Sequence, residues 1–230
     1  MRILAIETST MLGGVAIMDD SDGLITEMRL NIRTTYSERL MTGISLALKQ
    51  AGMRIGDIDV FGVSIGPGSF TGLRIGLSTI KGFSYATGKP VVSVPTLEAF
   101  VWNFPFSRFP VCIMLDARKK EVYAALFRWK DSGFERIMEE RSIKPSELAE
   151  TLKEPVIFAG EGAAIYRDNL VQAAGENALF PAPQMMAPSP SHVAYLGLRK
   201  AERHDFSDPV SLVPLYVRKS EAEMKIQPNS

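Results

Sequence analysis

Gly62-Val-Ser64-Ile-Gly66 carries the G-x-S-x-G spacing of a nucleophile elbow. In an elbow a strand turns at the serine straight into a helix and presents the hydroxyl to an acyl substrate. Here Pro67 and Gly68 intervene, and the best helix start falls at Ser69 or Thr71. Only His192 and His204 could act as a histidine base. These departures argue against a serine hydrolase. Ser78-Thr-Ile-Lys81 has S-x-x-K spacing, but Arg74, Ser78 and Lys81 recur at i, i+4 and i+7 and read as one polar helix stripe. The glycines from Gly66 to Gly76 are followed by no Lys-Ser or Lys-Thr pair, so they do not form a Walker loop. The two histidines are not in an H-x-x-x-H or H-E-x-x-H arrangement, and the single cysteine, Cys112, sits in an apolar run. No metal ligand set is therefore expected.

Two carboxylates remain, each at the end of a short apolar segment: Glu7 after Ile3-Leu-Ala-Ile6 and Asp116 after Val111 to Leu115. Each precedes a turn into a second strand. Such turns bind phosphate when their backbone N–H groups wrap it, which glycine permits. Glu7-Thr-Ser-Thr-Met-Leu-Gly-Gly14 has hydroxyls and late glycines; Asp116-Ala-Arg-Lys-Lys-Glu121 has none and carries a charged tip. Glu7, Thr8, Ser9 and Asp116 are the candidate residues for a phosphate or nucleotide cleft, with a degenerate second turn. The alternative is a pair of structural carboxylates held by nearby backbone N–H groups.

The elements that would position these residues form two similar series. Strands are expected at 2–6, 15–18, 24–32, 60–65 and 91–94, with helices at 35–51, 71–86 and 96–104. Thr35-Tyr-Ser-Glu38 fits a capping box, and Thr96 is placed as the cap of the third helix. After Phe104-Pro-Phe-Ser-Arg-Phe-Pro110 the order recurs: strands at 111–115, 122–129, 135–143, 156–159 and 178–180, helices at 145–153, 164–174 and from Ser189 or Ser191 to Arg203. A duplicated βββαβα unit is the pattern of an α/β, two-lobed actin-like fold. The expected domains are a lobe over 1–106, a lobe over 109–218 and a flexible tail over 219–230.

Composition sets outer limits. The chain has 230 residues, 46% of them hydrophobic, and 26 basic residues balance 26 acidic ones. Zero formal charge argues against holding nucleic acid alone through a broad basic face, though not against doing so in a complex. One cysteine precludes an internal disulfide framework and fits a reducing compartment. No apolar run approaches the roughly 18 residues of a membrane span, and the start lacks a signal-peptide core. A cytoplasmic protein is expected. Two helices are richer in apolar residues than one buried stripe requires: Met41 and Leu46 lie off the main stripe of the first, and 71–86 is apolar almost all round. A deep core and a protein-binding face explain this equally well.

Several segments together resemble the TsaB (YeaZ) family of tRNA threonylcarbamoyladenosine biosynthesis proteins. They are Ile3-Leu-Ala-Ile-Glu-Thr-Ser-Thr10, Ser37-Glu-Arg-Leu40, Gly66-Pro-Gly-Ser-Phe-Thr-Gly-Leu-Arg-Ile-Gly76, Lys81-Gly82, Asp116-Ala-Arg118 with Glu121-Val-Tyr123, and Pro214-Leu-Tyr-Val-Arg218. The glycine-rich run is the most specific, and the likeness ends near Glu223. The resemblance implies a bacterial actin-like protein that assists a catalytic paralogue, TsaD, in placing N6-threonylcarbamoyladenosine beside the anticodon. It implies no catalytic residue and no cofactor in this chain, with ATP and metal used elsewhere in the complex. The implied partners are TsaD, the ATPase TsaE, tRNA through the complex, and a second copy of the chain in isolation. The implied interface is the helix pair bearing Leu40, Met41, Ile44, Leu46, Gly72, Leu73, Ile75, Gly76, Thr79, Ile80 and Phe83. Glutamate at Leu46 or Gly76 is then expected to break docking and leave the fold intact. Tyr36 stands where many relatives carry histidine.

Overall fold

Short apolar strands bounded by turn residues, alternating with amphipathic helices, build two sheets in the computed structural model, which describes residues 1–31 and 36–217. Thr35, the first residue of the expected capping box, and the 219–230 tail lie outside the described residues. The first half runs β1 (Arg2–Glu7), β2 (Leu12–Asp19), β3 (Gly23–Asn31), α1 (Tyr36–Gln50), β4 (Val60–Ser64), α2 (Phe70–Thr87), β5 (Val91–Val94) and α3 (Thr96–Val101). The second runs β6 (Val111–Arg118), β7 (Glu121–Lys130), β8 (Gly133–Ile143), α4 (Pro145–Thr151), β9 (Val156–Ala159), α5 (Glu161–Ile165), α6 (Arg167–Ala174), β10 (Ala178–Leu179) and α7 (Pro190–Glu202). The sheet orders are β3-β2-β1-β4-β5 and β10-β9-β6-β7-β8. In each, the first strand of the half pairs antiparallel with the second and parallel with the fourth. This is the two-lobed actin-like α/β architecture.

Two local expectations are corrected. Thr96 does not cap α3: Pro95 holds that position, and the Thr96 hydroxyl accepts from the Gly66 N–H at 3.1 Å. The helix expected over 164–174 is two, broken at Tyr166, because Glu161 already opens a turn behind Gly160. Ser189, one of the two expected starts of the last helix, does stand at the N-cap of α7, with its hydroxyl donated to Glu27 of β3 and not used on the helix N-terminus.

The lobes do not follow the chain boundary near residue 108. One face of the first sheet is covered by α1 and α2, through Leu40, Ile44, Leu77 and Ile80. Its other face, with Ile3, Ala5, Val60 and Val92, is covered by Val193, Ala194 and Leu196 of α7. Conversely, Leu97, Phe100 and Val101 of α3 pack on Val111, Ile113 and Phe127 of the second sheet. Each half thus lends its last helix to the other's sheet. Gly197 permits this crossing, since a side chain there would run into Ile3.

Candidate functional site

The β1–β2 connection is built from small residues because three elements converge on it. Thr8 and Ser9 are buried, as is Glu7 at the end of β1. Gly13 lies against the Glu7 carbonyl, and Gly72 and Gly76 of α2 lie against the Thr8 carbonyl and hydroxyl. Beyond the cis Gly66–Pro67 bond, Gly68 touches Ser9, and the Ser69 N–H donates to the Ser9 carbonyl at 2.6 Å. Ser69 then caps α2, accepting from the Gly72 N–H. Of the two expected helix starts, Ser69 and Thr71, Ser69 is the cap, and the glycine-rich run serves close packing on the turn.

Glu7 accepts one hydrogen bond, from the Ser9 N–H to Oε1 at 2.6 Å, while Oε2 has no partner. The hydroxyls of Ser9 and Ser64 lie near this carboxyl but outside hydrogen-bonding geometry. Burial raises the Glu7 pKa, and Ser9, Ser64 and Arg29 offset part of the rise. A carboxyl with a raised folded pKa binds more protons folded than unfolded, so its contribution to stability falls as pH rises above the unfolded value. Glu7→Gln keeps the Ser9 contact and supplies an amide donor to the neighbouring hydroxyls. It is expected to stabilise the protein at pH 7 by roughly 1–3 kcal/mol, an advantage that disappears in denaturant melts below about pH 4.

Above this floor lies a cleft of 790 Å³ between the lobes, lined by Ser9, Gly68, Ser69 and Arg74 from one side and by Asp116, Arg118, Lys119, Tyr123 and Glu161 from the other. Of the four candidate phosphate residues, Ser9 and Asp116 reach this cleft; Glu7 and Thr8 lie beneath it. Asp116 accepts from the Arg118 N–H at 3.0 Å and pairs with its guanidinium at 3.4 Å. Glu161 faces it, and burial first, then the charge of Asp116, raises the Glu161 pKa. The β6–β7 tip has Arg118, Lys119 and Lys120 at φ 63°, 53° and 65°. Left-handed backbone costs a non-glycine residue roughly 1–2 kcal/mol, and Asn-Gly is the usual closure of such a hairpin.

Leu215, Tyr216 and Val217, the end of a strap over residues 208–217, form one wall of the cleft. The Leu215 N–H donates to the Ile65 carbonyl at 2.7 Å, Lys81 Nζ to the Val210 carbonyl at 3.2 Å and Arg74 Nε to the Tyr216 hydroxyl at 3.3 Å. The polar stripe Arg74, Ser78 and Lys81 is the seat of this strap, which the sequence did not reveal. Ser64 is wholly buried at the end of β4, and α2 begins only at Phe70, so the elbow presents no nucleophile. His192 is pushed down to about 4 by burial beside Glu27 and Arg29, and His204 is exposed. Among the described residues no three His, Cys, Asp or Glu side chains cluster to hold a metal.

Eleven interface residues were expected on α1 and α2, and six of them point inward. Leu40, Ile44, Leu73 and Ile80 are core, and Gly72 and Gly76 are sealed against Thr8. These six hold the helices in place and cannot touch a partner. Ile75, Thr79 and Phe83 are half-buried, and Met41 and Leu46 are 48% and 44% exposed. Tyr85, absent from the expected set, is 94% exposed at the far end of α2. Gly76→Glu is accordingly unsuitable as a docking probe, because its first side-chain carbon would overlap the Thr8 hydroxyl.

A family described as TsaD: tRNA N6-adenosine threonylcarbamoyltransferase matches residues 31–226. The tRNA threonylcarbamoyladenosine biosynthesis protein TsaB of Bacillus subtilis is 30% identical over 228 residues, covering 98% of this chain and 97% of that one. The chain belongs to the TsaB branch of the TsaD family. The Escherichia coli TsaB protein is 28% identical, with 98% of both chains covered. In fold, YeaZ from Pseudomonas aeruginosa superposes with a TM-score of 0.79 at 23% identity, over 94% of this chain and 99% of that one. Membership of the TsaB branch agrees with the glycine-rich run that carried the resemblance. No helix among the described residues is long and apolar enough to cross a membrane.

Proposed function

We propose that this chain is the non-catalytic subunit supporting a TsaD-type threonylcarbamoyltransferase, which forms N6-threonylcarbamoyladenosine at the adenosine 3′ of the anticodon. The observation that carries this reading is the outer face of α1 and α2, where Met41, Leu46 and Tyr85 stand exposed. A second copy takes this face when the partner is absent, and TsaE and tRNA join through the catalytic subunit in the cytoplasm. The cleft supports the non-catalytic half of the reading: its second turn has no glycine, and no histidine stands among the residues lining it beside Asp116 and Glu161. A phosphate-bearing ligand would meet this chain along the cleft wall that Ser9 and Asp116 line, with the Ser9 hydroxyl itself buried beneath it.

The test is a reconstitution with tRNA, threonine, bicarbonate, ATP and the other three proteins of the pathway, with and without this chain. Modified nucleoside, read by mass spectrometry, is expected only when the chain is present. Equal product in its absence would overturn the proposal. ATP turnover by the isolated chain, lost on Asp116→Ala, would replace it with a stand-alone nucleotide-dependent enzyme.

A further inference from the structure

The β6–β7 hairpin closes on three successive cations in left-handed backbone, Arg118, Lys119 and Lys120. A turn of this kind is ordinarily closed by asparagine or aspartate with glycine. Long basic side chains at all three positions keep a steric cost that the hairpin itself does not need. Strain retained at an exposed tip points to what the side chains do there. All three are exposed, the Arg118 side chain by 88%, whereas its ion-pair partner Asp116 is 12% exposed. Across the cleft mouth, Arg74 of α2 adds a fourth cation. The opposing carboxylates are set back: Asp116 pairs with Arg118, Glu161 lies partly buried in the cleft, and Glu121 accepts from the Ser142 hydroxyl. A chain with no net charge therefore gathers basic groups at one rim, with its acids recessed behind them. Such a rim attracts polyanions locally although the whole surface does not.

We propose that this tip, with Arg74 opposite, is a contact for the phosphate backbone of RNA. The proposal deepens the functional reading above and rests on it for the RNA in question, a tRNA. Backbone contact suits the chemistry: the two lysines at the tip offer charge and several donor directions, and the guanidinium fork of Arg118 is engaged by Asp116. It also reconciles neutral composition with a role on tRNA, because a few phosphate contacts suffice when the assembly supplies the rest.

Two full-length variants separate charge from strain. Lys119→Gln with Lys120→Gln removes two charges and keeps the strained turn; Lys119→Asn with Lys120→Gly removes the charges and relaxes it. Binding of an unmodified tRNA transcript is followed by fluorescence anisotropy across a salt series, for the chain alone and for its complex with the transferase subunit. Both variants are expected to weaken binding and to lower the slope of log affinity against log salt by about 1.4–1.8, the share of two phosphate contacts. Only the Asn-Gly variant should gain thermal stability. An unchanged slope and affinity in both variants would overturn the proposal, as would a loss seen for ATP and not for tRNA. Gel filtration with the transferase subunit, run in parallel without RNA, keeps the two readings apart. A complex that forms while the variants bind tRNA like the parent sinks the tip contact alone. No complex, with salt-dependent binding that the variants lose, sinks the subunit reading alone.

Discussion

Gly72→Ala is expected to cost about 3 kcal/mol or more of folding stability and to lower the melting temperature by roughly 6–12 °C. The reason is a backbone-to-backbone approach. A methyl group at Gly72 would overlap the Thr8 carbonyl oxygen, and no side chain is available to swing away. Relief requires either α2 to lift off β1 or the Thr8 peptide to move. The first opens the core around Leu77 and Ile80, and the second breaks the turn that carries the Glu7–Ser9 hydrogen bond. With total stability of about 5–15 kcal/mol for an ordinary domain, the loss is a large fraction of the whole. Thermal unfolding followed by far-ultraviolet circular dichroism checks it. Gly82→Ala is the control: that position has open space around it, and alanine favours a helix by roughly 1 kcal/mol over glycine, so it should raise the midpoint slightly. Equal melting temperatures for the Gly72 variant and the parent would show that α2 does not bear on the turn as described.

Met41→Glu combined with Leu46→Glu is expected to abolish the complex with the transferase subunit while leaving the chain folded. Both side chains stand clear of the core, so the isolated protein should melt within a few tenths of a kcal/mol of the parent. In a closed interface the two carboxylates would lose their water without gaining partners. A buried uncompensated charge costs roughly 2–5 kcal/mol, which corresponds to about a 30- to 4,000-fold loss in affinity. Light scattering on mixed subunits at micromolar concentration distinguishes the outcomes, and the same double variant should fail in the reconstitution. A parent-like complex would remove the α1–α2 face from the proposed function and leave the strap or the cleft rim as docking candidates.

Strand and helix order was legible because the short runs Ile3 to Ile6, Val60 to Val63 and Val111 to Leu115 are buried on both faces and bounded by turn residues. The floor of the cleft was legible in part. Glu7 and Asp116 announce themselves as acids ending apolar strands, but whether an acid ends above or below a turn depends on what packs over it. Gly13, Gly72 and Gly76 decide that for Glu7, and the last two are more than sixty residues away in sequence. Which residues of the expected interface face outward depends on packing too. The resemblance assigns the helix pair as a whole, including the Leu40 and Ile44 stripe of α1, and the pattern of α2, apolar nearly all round, does not separate Leu73 and Ile80, which face inward, from the outer residues. The seat of the strap was hidden because Arg74, Ser78 and Lys81 resemble any solvated stripe until the distant segment 208–217 is laid upon them. Left-handed backbone at Arg118 to Lys120 had no signal at all, since those residue types ordinarily avoid it.

The exchange of last helices between the halves sets an order of events during synthesis. All five strands of the first sheet have been translated once Val94 is made, yet the face bearing Ile3, Ala5, Val60 and Val92 waits for α7, which begins at Pro190. At the ribosome's pace of about 5–20 residues per second, that wait lasts roughly 5–20 s. Through that interval the nascent chain carries an uncovered apolar sheet face, the kind of surface that chaperones recognise. A polypeptide stopped at residue 106 lacks α7 altogether, so such a fragment is expected to keep Ile3, Ala5, Val60 and Val92 short of their cover.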